Sequence, residues 1–246
     1  MLITGTMASQ AAFYPIGTPG IAWGDAERSA WRAGTIVSRS YFDEVVSKID
    51  DLRSTFDVEQ YGALDYDVAE GGAPLPMFAV KTKGWDAAKP AVLVTGGVHG
   101  YETSGVQGAL LFLATKAAGF AADFNICVAP CVSPWGYQRV QRWNALAVDP
   151  NRSFLPHAPQ MAAESGALMA FVRGLGVGEW LAHVDLHETT DSDEGEFRPA
   201  KAARDGVAFE PGNVSSMRAN VACARASLVF SFSRGLFHAT GFALPS

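Results

Sequence analysis

Two short segments place histidines close to carboxylates. "HGYE" puts His99 three residues before Glu102, directly after the apolar run "AVLVTGG". "HVDLHE" puts His183, Asp185 and His187 along a second apolar run. Imidazole and carboxylate groups build catalytic zinc sites, which use three protein ligands and keep one position for water. A metal site is therefore the first interpretation, with an anion-binding turn or a plain polar loop as alternatives.

Spacing indicates which of these groups share one ion. Glu102 reaches the same ion as His99 if the chain turns into a helix there, and Thr103 and its neighbours suit a helix start. His183 and His187 lie four residues apart on a predicted strand, so both point to one face. His187 is nearer the carboxyl end of that strand. We therefore predict one zinc ion on His99, Glu102 and His187.

The other two polar residues of "HVDLHE" have different predicted roles. His183 lies deeper in the strand and is expected to be a hydrogen-bonded core histidine. Asp185 faces the same side and is placed to orient a metal ligand through a hydrogen bond.

A third polar segment, "SPWGYQRVQRWNALAVDPNRSF", supplies cations. Its polar residues include Arg139, Arg142, Asn144, Asp149, Asn151 and Arg152. An arginine fork grips a carboxylate with two hydrogen bonds and stays charged at any working pH. Near a zinc ion, Arg142 and Arg152 would suit the stabilisation of an oxyanion and the binding of a substrate carboxylate. The alternative is a set of surface ion pairs with the acidic segment that follows His187.

Alternating strand and helix patterns position these three segments. Helical spacing is found in residues 38–56, 104–120 and 160–175, and strand patterns in 61–68, 75–83, 91–97, 124–130 and 180–188. This alternation predicts an α/β fold: a single domain with a mostly parallel mixed β-sheet flanked by helices. Each polar segment follows a predicted strand, and sites in such folds lie at the carboxyl ends of strands.

Composition excludes several classes of protein. With 246 residues, 48% hydrophobic and 18% charged, the chain can build a sizeable core. Its formal net charge of −6 argues against nucleic acid or anionic membranes as partners. No run of eighteen apolar residues occurs. We expect one domain over residues 1–246, with residues 1–13 frayed.

The termini and cysteines indicate the compartment. The first residues carry no charge before Asp25, so no export signal is predicted. Cys127, Cys131 and Cys223 form neither a paired disulfide set nor a zinc-ribbon spacing, and the first two lie in an apolar stretch. The sequence therefore predicts a cytoplasmic protein with reduced thiols.

The three polar segments resemble the zinc metallocarboxypeptidase family, the carboxypeptidase A-like group that includes succinylglutamate desuccinylase and aspartoacylase. The likeness spans roughly residues 92–198, with the motifs in the family's order. By this resemblance, His99, Glu102 and His187 are the zinc ligands. Arg142 matches the arginine that polarises the carbonyl, and Asn151 with Arg152 matches the pair that holds the substrate's terminal carboxylate.

The resemblance implies a zinc-dependent hydrolase that cleaves an amide bond next to a free carboxylate in a small peptide or an N-acyl amino acid. "GYQRVQRWNALAVDPNRSF" favours the peptide-cleaving members, whereas "VDLHETT" favours the acylase branch. The first alternative is therefore an N-acyl amino acid amidohydrolase. The second is a zinc-binding protein that holds peptides without cutting them.

The chain departs from the family pattern at three places. Ser133 stands where the family usually has asparagine, and Pro150 replaces an aliphatic residue; both are expected to be tolerated. The family's general base is a glutamate on a late strand. No Asp or Glu follows Glu210 here. Residues 211–246 are atypical in composition and show no clear strand or helix period, which is consistent with a truncated or out-of-frame end.

Other classes fit less well. The glycine-rich turn after residue 94 lacks the lysine and spacing of a P-loop. "GLGVGEW" follows a helix and precedes a strand, the reverse of the order in dinucleotide-binding folds. No GxSxG sequence indicates a serine hydrolase.

Overall fold

The computed structural model describes residues 14–155, 160–188, 193–209 and 226–231. In residues 193–194 and 226–231 it describes only the backbone. The chain divides into two compact units. One comprises Thr35–Thr189 and Ala224–Ser246, and the other comprises Met1–Gly34 and Thr190–Cys223. The organisation of residues 1–246 as one domain stays a prediction.

The larger unit contains a six-stranded sheet in the order β1-β2-β4-β3-β5-β6. Strands β3, β4 and β5 are parallel neighbours, whereas β1 with β2, β2 with β4 and β5 with β6 pair antiparallel. The strands are β1 Phe56–Leu64, β2 Leu75–Thr82, β3 Ala91–Gly96, β4 Asn125–Ala129, β5 Trp180–Glu188 and β6 Ala226–Ser231.

The predicted α/β fold with a mixed sheet is confirmed, and the structure corrects three details of it. Parallel pairing is limited to the three central strands, so the sheet is mixed rather than mostly parallel. Strand β1 begins at Phe56, five residues before the predicted start, because Phe56 continues the pairing with β2 at Thr82. Strand β6 lies within residues 211–246, where no strand period was recognised.

Short helices precede and connect the strands of the larger unit. A π-helical turn, Phe42–Val46, runs directly into α2, Ser47–Asp51. The connection from β3 to β4 contains α3, Thr103–Thr115, and the connection from β4 to β5 contains α4, Pro134–Arg139, and α5, Ala163–Gly174. Short 3₁₀ turns cover Val68–Glu70, Ala117–Phe120 and Pro150–Arg152.

The core of this unit lies around the central strands. Strand β4 is buried along its full length, as expected for a strand covered on both faces. Its neighbours in the core come from β3, from α5 and from the start of β5; they include Leu93, Leu168, Val172 and Trp180. Cys127 and Cys131 are buried free thiols, and burial raises the pKa of the Cys127 thiol to about 12. These two cysteines are therefore packing residues.

The described part of the smaller unit includes three helical segments. It contains α1, Asp25–Ala33, a π-helical turn, Asp193–Phe197, and α6, Arg198–Asp205. The Trp23 amide donates to the Arg204 carbonyl at 2.8 Å, and Trp31 is buried. Among the described residues of the chain, no helix has the length and apolarity needed to cross a membrane.

Candidate metal centre

The turn after β3 carries the first two predicted ligands. His99 and Glu102 are both 2% exposed. Helix α3 begins at Thr103, so Glu102 stands at its N-terminal cap, and the Glu102 amide donates to the His99 carbonyl at 3.2 Å. The helix start predicted after Glu102 is confirmed. The turn thus brings a histidine and a glutamate three residues apart to the same point.

Glu102 bridges the two predicted histidine ligands. Its Oε1 lies 2.6 Å from His99 Nδ1, and its Oε2 lies 2.7 Å from His187 Nδ1. One ligand atom from each of the three residues lies within 4.8 Å of the others. Strands β3 and β5 are adjacent and parallel, so their carboxyl ends deliver the turn and His187 to the same edge of the sheet. The three residues are close enough to hold one metal ion.

The far nitrogen of each imidazole meets a second carboxylate. His99 Nε2 lies 3.1 Å from Asp149 Oδ1, and His187 Nε2 lies 2.7 Å from Asp185 Oδ2. Histidines that bind metals commonly hold a carboxylate on the other ring nitrogen, which fixes the tautomer and the ring orientation. Both Nδ1 atoms are then directed toward Glu102. This arrangement fits a zinc ion, and Asp185 lies where the sequence placed an orienting carboxylate.

The charges of this cluster compensate one another. Burial favours the neutral form of Glu102, but hydrogen bonds with His187 and His99 outweigh it and lower the Glu102 pKa. Burial also disfavours the charged form of His187, but hydrogen bonds with Asp185 and Glu102 raise its pKa to about 10. A positive charge is therefore held between carboxylates, which is the electrostatic environment that a divalent cation requires.

His183 is placed apart from the three clustered residues. Its Nε2 lies 2.9 Å from Thr95 Oγ1, and the same hydroxyl donates to Asp185 Oδ1 at 2.6 Å. Burial lowers the pKa of His183, although the charge of Asp185 opposes that shift. The residue is a hydrogen-bonded histidine within the strand.

Asp149 connects the cationic segment to the metal centre. Arg142 Nε donates to Asp149 Oδ2 at 3.2 Å, and Arg142 Nη1 donates to the Tyr101 hydroxyl at 2.9 Å. The backbone amide of Asn151 donates to Asp149 Oδ1 at 2.9 Å. Burial raises the Asp149 pKa, but hydrogen bonding and charge interaction with His99, and then the charges of Arg142 and Arg152, lower it well below its usual range. The sequence assigned no role to Asp149 and did not identify Tyr101.

The remaining arginines of the segment differ in position. Arg152 ends the 3₁₀ turn Pro150–Arg152 and is exposed. Arg139 pairs with Asp67 at 3.0 Å and lies over the Trp135 ring, 4.6 Å from its centroid. Arg142 and the Asn151 backbone amide thus contact Asp149, and the charge of Arg152 acts on the same carboxylate. Arg139 joins a separate ion pair.

A buried network holds the loop that carries Asp149. Asn144 Oδ1 accepts the amides of Leu146 and Val148, each at 3.0 Å, while its Nδ2 donates to Glu164 Oε2 at 3.1 Å. Glu164 is fully buried at the start of α5 and also accepts from the Tyr66 hydroxyl at 3.1 Å. Burial raises the pKa of Glu164. No sequence motif pointed to this network.

Glu188, the last residue of β5, anchors the start of α3. Its Oε2 accepts from the Ser104 amide at 3.0 Å and from the Ser104 hydroxyl at 2.8 Å. A carboxylate at these groups stabilises the first turn of α3.

Two glycines allow the close approach on which the centre depends. A Cβ atom on Gly100 would overlap the backbone of Gly136 and Tyr137 in α4. A Cβ atom on Gly105 would overlap the Leu186 carbonyl of β5. The turn therefore packs backbone to backbone against α4, and α3 packs in the same way against the end of β5.

The fold and the site define an α/β protein with a His–Glu–His cluster suited to a metal ion. A family model described as "Protein of unknown function (DUF2817)" matches residues 56–190, and the chain belongs to this family. That stretch is more than half of the chain and includes all six residues predicted for the site. No functionally curated protein matches the sequence.

Solved structures share the fold at low identity. A candidate metallopeptidase from Shewanella denitrificans OS217 has a TM-score of 0.51 at 21% identity, over 60% of this chain and 53% of that one. A candidate metallopeptidase from Shewanella amazonensis SB2B has a TM-score of 0.49 at 23% identity, over 63% of this chain and 61% of that one. A metallo-carboxypeptidase from Burkholderia cenocepacia has a TM-score of 0.44 at 15% identity, over 58% of this chain and 40% of that one. The first likeness shows a common fold. The chain spans only about half to three fifths of the first two structures.

Proposed function

We propose that this protein is a zinc-dependent hydrolase that cleaves an amide bond next to a free carboxylate, as a metallocarboxypeptidase does. The observation that carries the proposal is the buried Glu102 carboxylate between His99 Nδ1 and His187 Nδ1. Two histidines and one carboxylate form the ligand set of a catalytic zinc site, which keeps a position open for water. The resemblance of the three polar segments to the zinc carboxypeptidases supports the same reading.

In this proposal His99, Glu102 and His187 hold the zinc ion, and Asp149 and Asp185 orient the two imidazoles. Bound zinc supplies a Lewis acid that polarises an amide carbonyl and lowers the pKa of water to about 7. The ligands come from a turn and a strand end that are packed together, so the ion is held on rigid elements.

Arg142 would stabilise the negative charge that develops on the carbonyl oxygen of the substrate. Its side chain is 15% exposed, and its guanidinium is held by Asp149 and Tyr101, so its orientation is set before a substrate binds. A pre-oriented donor of this kind contributes roughly 10²–10³ to the rate.

Asn151 and Arg152 would bind the free carboxylate of the substrate. The backbone amide of Asn151 donates to Asp149, which anchors the residue, and Arg152 is the next residue of the same turn. Arg152 is exposed, so its guanidinium can reach a ligand and form a two-point hydrogen bond with a carboxylate. The proposed substrate is a small peptide or an N-acyl amino acid.

A matched pair of substrates tests this function. The purified protein, loaded with zinc, is given a blocked dipeptide with a free terminal carboxylate and the same dipeptide as its terminal amide. We expect cleavage of the first only, and loss of cleavage when a chelator removes zinc. Arg152→Ala should raise KM for the free acid roughly tenfold or more, because a hydrogen bond to a charged group is lost.

The control is Arg53→Ala, which removes an exposed arginine that pairs with Asp50. Its KM should equal that of the wild type. Cleavage of an acyl-aspartate instead of the dipeptide would favour the amidohydrolase alternative. Peptide binding without any cleavage would favour the non-catalytic binder, and an unchanged KM in Arg152→Ala would remove the role given to that residue.

A further inference from the structure

Arg39 contacts the metal-binding turn from outside the stretch matched by the family model, which begins at residue 56. Its Nη2 donates to the Gly100 carbonyl at 2.8 Å, and its Nη1 donates to Thr103 Oγ1 at 2.5 Å. The two acceptors stand on either side of Glu102: Gly100 lies in the turn, and Thr103 is the first residue of α3. The guanidinium therefore holds the segment that presents the glutamate.

The third donor of Arg39 reaches a different element. Its Nε donates to the Tyr137 carbonyl in α4 at 2.6 Å, and its guanidinium carbon lies 3.7 Å from the centroid of the Tyr137 ring. Helix α4 is the element against which Gly100 packs without room for a side chain. The three donors of one planar group thus join the turn to the helix at the point of closest approach.

The placement of Arg39 is itself fixed. Its backbone amide donates to the Gln138 carbonyl at 3.2 Å, and the amide of Ser38 donates to the same oxygen at 2.8 Å. The Tyr137 ring beneath it is held because its hydroxyl donates to Glu44 at 2.7 Å and accepts from Gln107 at 3.0 Å. Neither contact depends on a bound ligand, so the guanidinium is oriented in advance.

The contacts of Arg39 are unusual for an arginine. Among the described residues, its hydrogen bonds go to two carbonyls and one hydroxyl, and none goes to a carboxylate. A charged donor strengthens bonds to neutral oxygens, and the fork geometry serves three acceptors that a lysine ammonium cannot reach together.

We propose that Arg39 is a positioning residue for the metal centre: by tying Gly100 and Thr103 to α4, it holds Glu102 at the distance from His99 and His187 that one ion requires. This inference rests on the proposed metal-binding function. Residues that orient metal ligands from outside the ligand set typically change metal affinity by about 10- to 100-fold when they are replaced.

Cobalt(II) titration of the metal-depleted full chain tests the proposal, because cobalt binds such ligand sets and its visible absorption reports their geometry. The variants are Arg39→Gln and Arg39→Lys. We expect both to lose about 10- to 100-fold in affinity and to shift the cobalt absorption bands. Lysine should fail to restore binding because it keeps the charge but not the fork.

The matched control is Ile49→Val, which loosens a buried side chain of α2 without touching the turn. It should lower Tm modestly and leave cobalt affinity and spectrum unchanged. Thr103→Val removes only one of the three acceptors and should give a smaller loss. It also keeps the test decisive if the Arg39 variants do not fold.

The outcomes separate this inference from the function on which it rests. A wild-type chain that binds neither cobalt nor zinc overturns both. A wild type that binds metal, beside Arg39 variants that bind equally or lose no more than Ile49→Val, overturns the positioning role alone. Wild-type cobalt affinity in Arg39→Lys would show that the three donors of the planar guanidinium are not needed to hold the turn.

Discussion

At the residue scale, the candidate centre consists of imidazoles held between carboxylates. Each histidine has one nitrogen toward Glu102 and the other toward a second acid, Asp149 or Asp185. The acids that orient the rings are supplied by different parts of the chain. Asp149 also accepts a hydrogen bond from Arg142. The orientation of His99, a predicted metal ligand, and of Arg142, the predicted oxyanion donor, therefore depends on one carboxylate.

Glu164 yields a prediction of pH dependence at this scale. Its carboxyl is fully buried, and burial raises its pKa above the ordinary 4.5 despite the hydrogen bonds from Asn144 and Tyr66. Well below pH 4.5 the carboxyl is neutral in both the folded and the unfolded chain and contributes no pH dependence. At higher pH the Glu164 carboxyl loses its proton in the unfolded chain before it does so in the folded chain. The free energy of unfolding therefore falls as pH rises toward the folded-state pKa.

Glu164→Gln removes this loss because the amide stays neutral. We expect the variant's Tm, relative to the wild type, to rise as the pH increases through and above 4.5. Thermal unfolding of both proteins across this range measures the difference, and the other titrating groups, common to both chains, largely cancel. A difference that stays constant with pH would mean that Glu164 is charged in the folded protein.

The residues found from sequence and those missed differ in how far apart their contacts lie. His99 with Glu102 forms a pair three residues apart, which a short motif can show. Asp149 meets His99 across 50 positions, and Arg39 meets Gly100 across 61. Contacts of that separation leave no local pattern, and these residue types are common on surfaces. The sequence alone therefore indicated the three clustered residues and Asp185, which lies two residues from His187, but not Asp149 or Arg39.

At the element scale, the site depends on close packing of α3 against β5. The carboxyl ends of the parallel strands β3 and β5 lie side by side, and α3 leaves the first of them to pack against the second. Strand positions were largely predictable because buried β-branched runs bounded by glycine and proline are distinctive. The start of β1 at Phe56 was not predictable, because "STF" also continues the helical spacing of the residues that precede it.

Two glycines of α3 give a matched test of this packing. Gly105→Ala would place a methyl group on the Leu186 carbonyl, so we expect α3 to shift from β5 and the free energy of unfolding to fall by about 1–3 kcal/mol. Gly108→Ala, three residues later, has its nearest neighbour 4.0 Å away and should gain about 0.5–1 kcal/mol from helix propensity.

Denaturant unfolding of the two variants beside the wild type measures both changes. Equal stabilities for Gly105→Ala and Gly108→Ala would show that α3 does not lie against β5 as described.

At the scale of the whole molecule, the candidate centre lies within one compact unit. All the residues that form or hold it lie between Thr35 and Thr189, from Arg39 to Glu188. The chemistry predicted from three short segments therefore rests on one sheet and its connections. The atypical, truncated or out-of-frame character predicted for residues 211–246 stays a prediction, because apart from the β6 backbone that stretch lies outside the described residues.

The most direct test is the zinc content of the purified chain, measured by plasma mass spectrometry for the wild type, His187→Ala and His183→Ala. His183 lies on the same strand four residues before His187 and serves as the matched control. We predict about one zinc per chain in the wild type and in His183→Ala, and loss of zinc in His187→Ala. A folded, zinc-supplied wild type without zinc, or a His187→Ala variant that keeps it, would contradict the proposed centre.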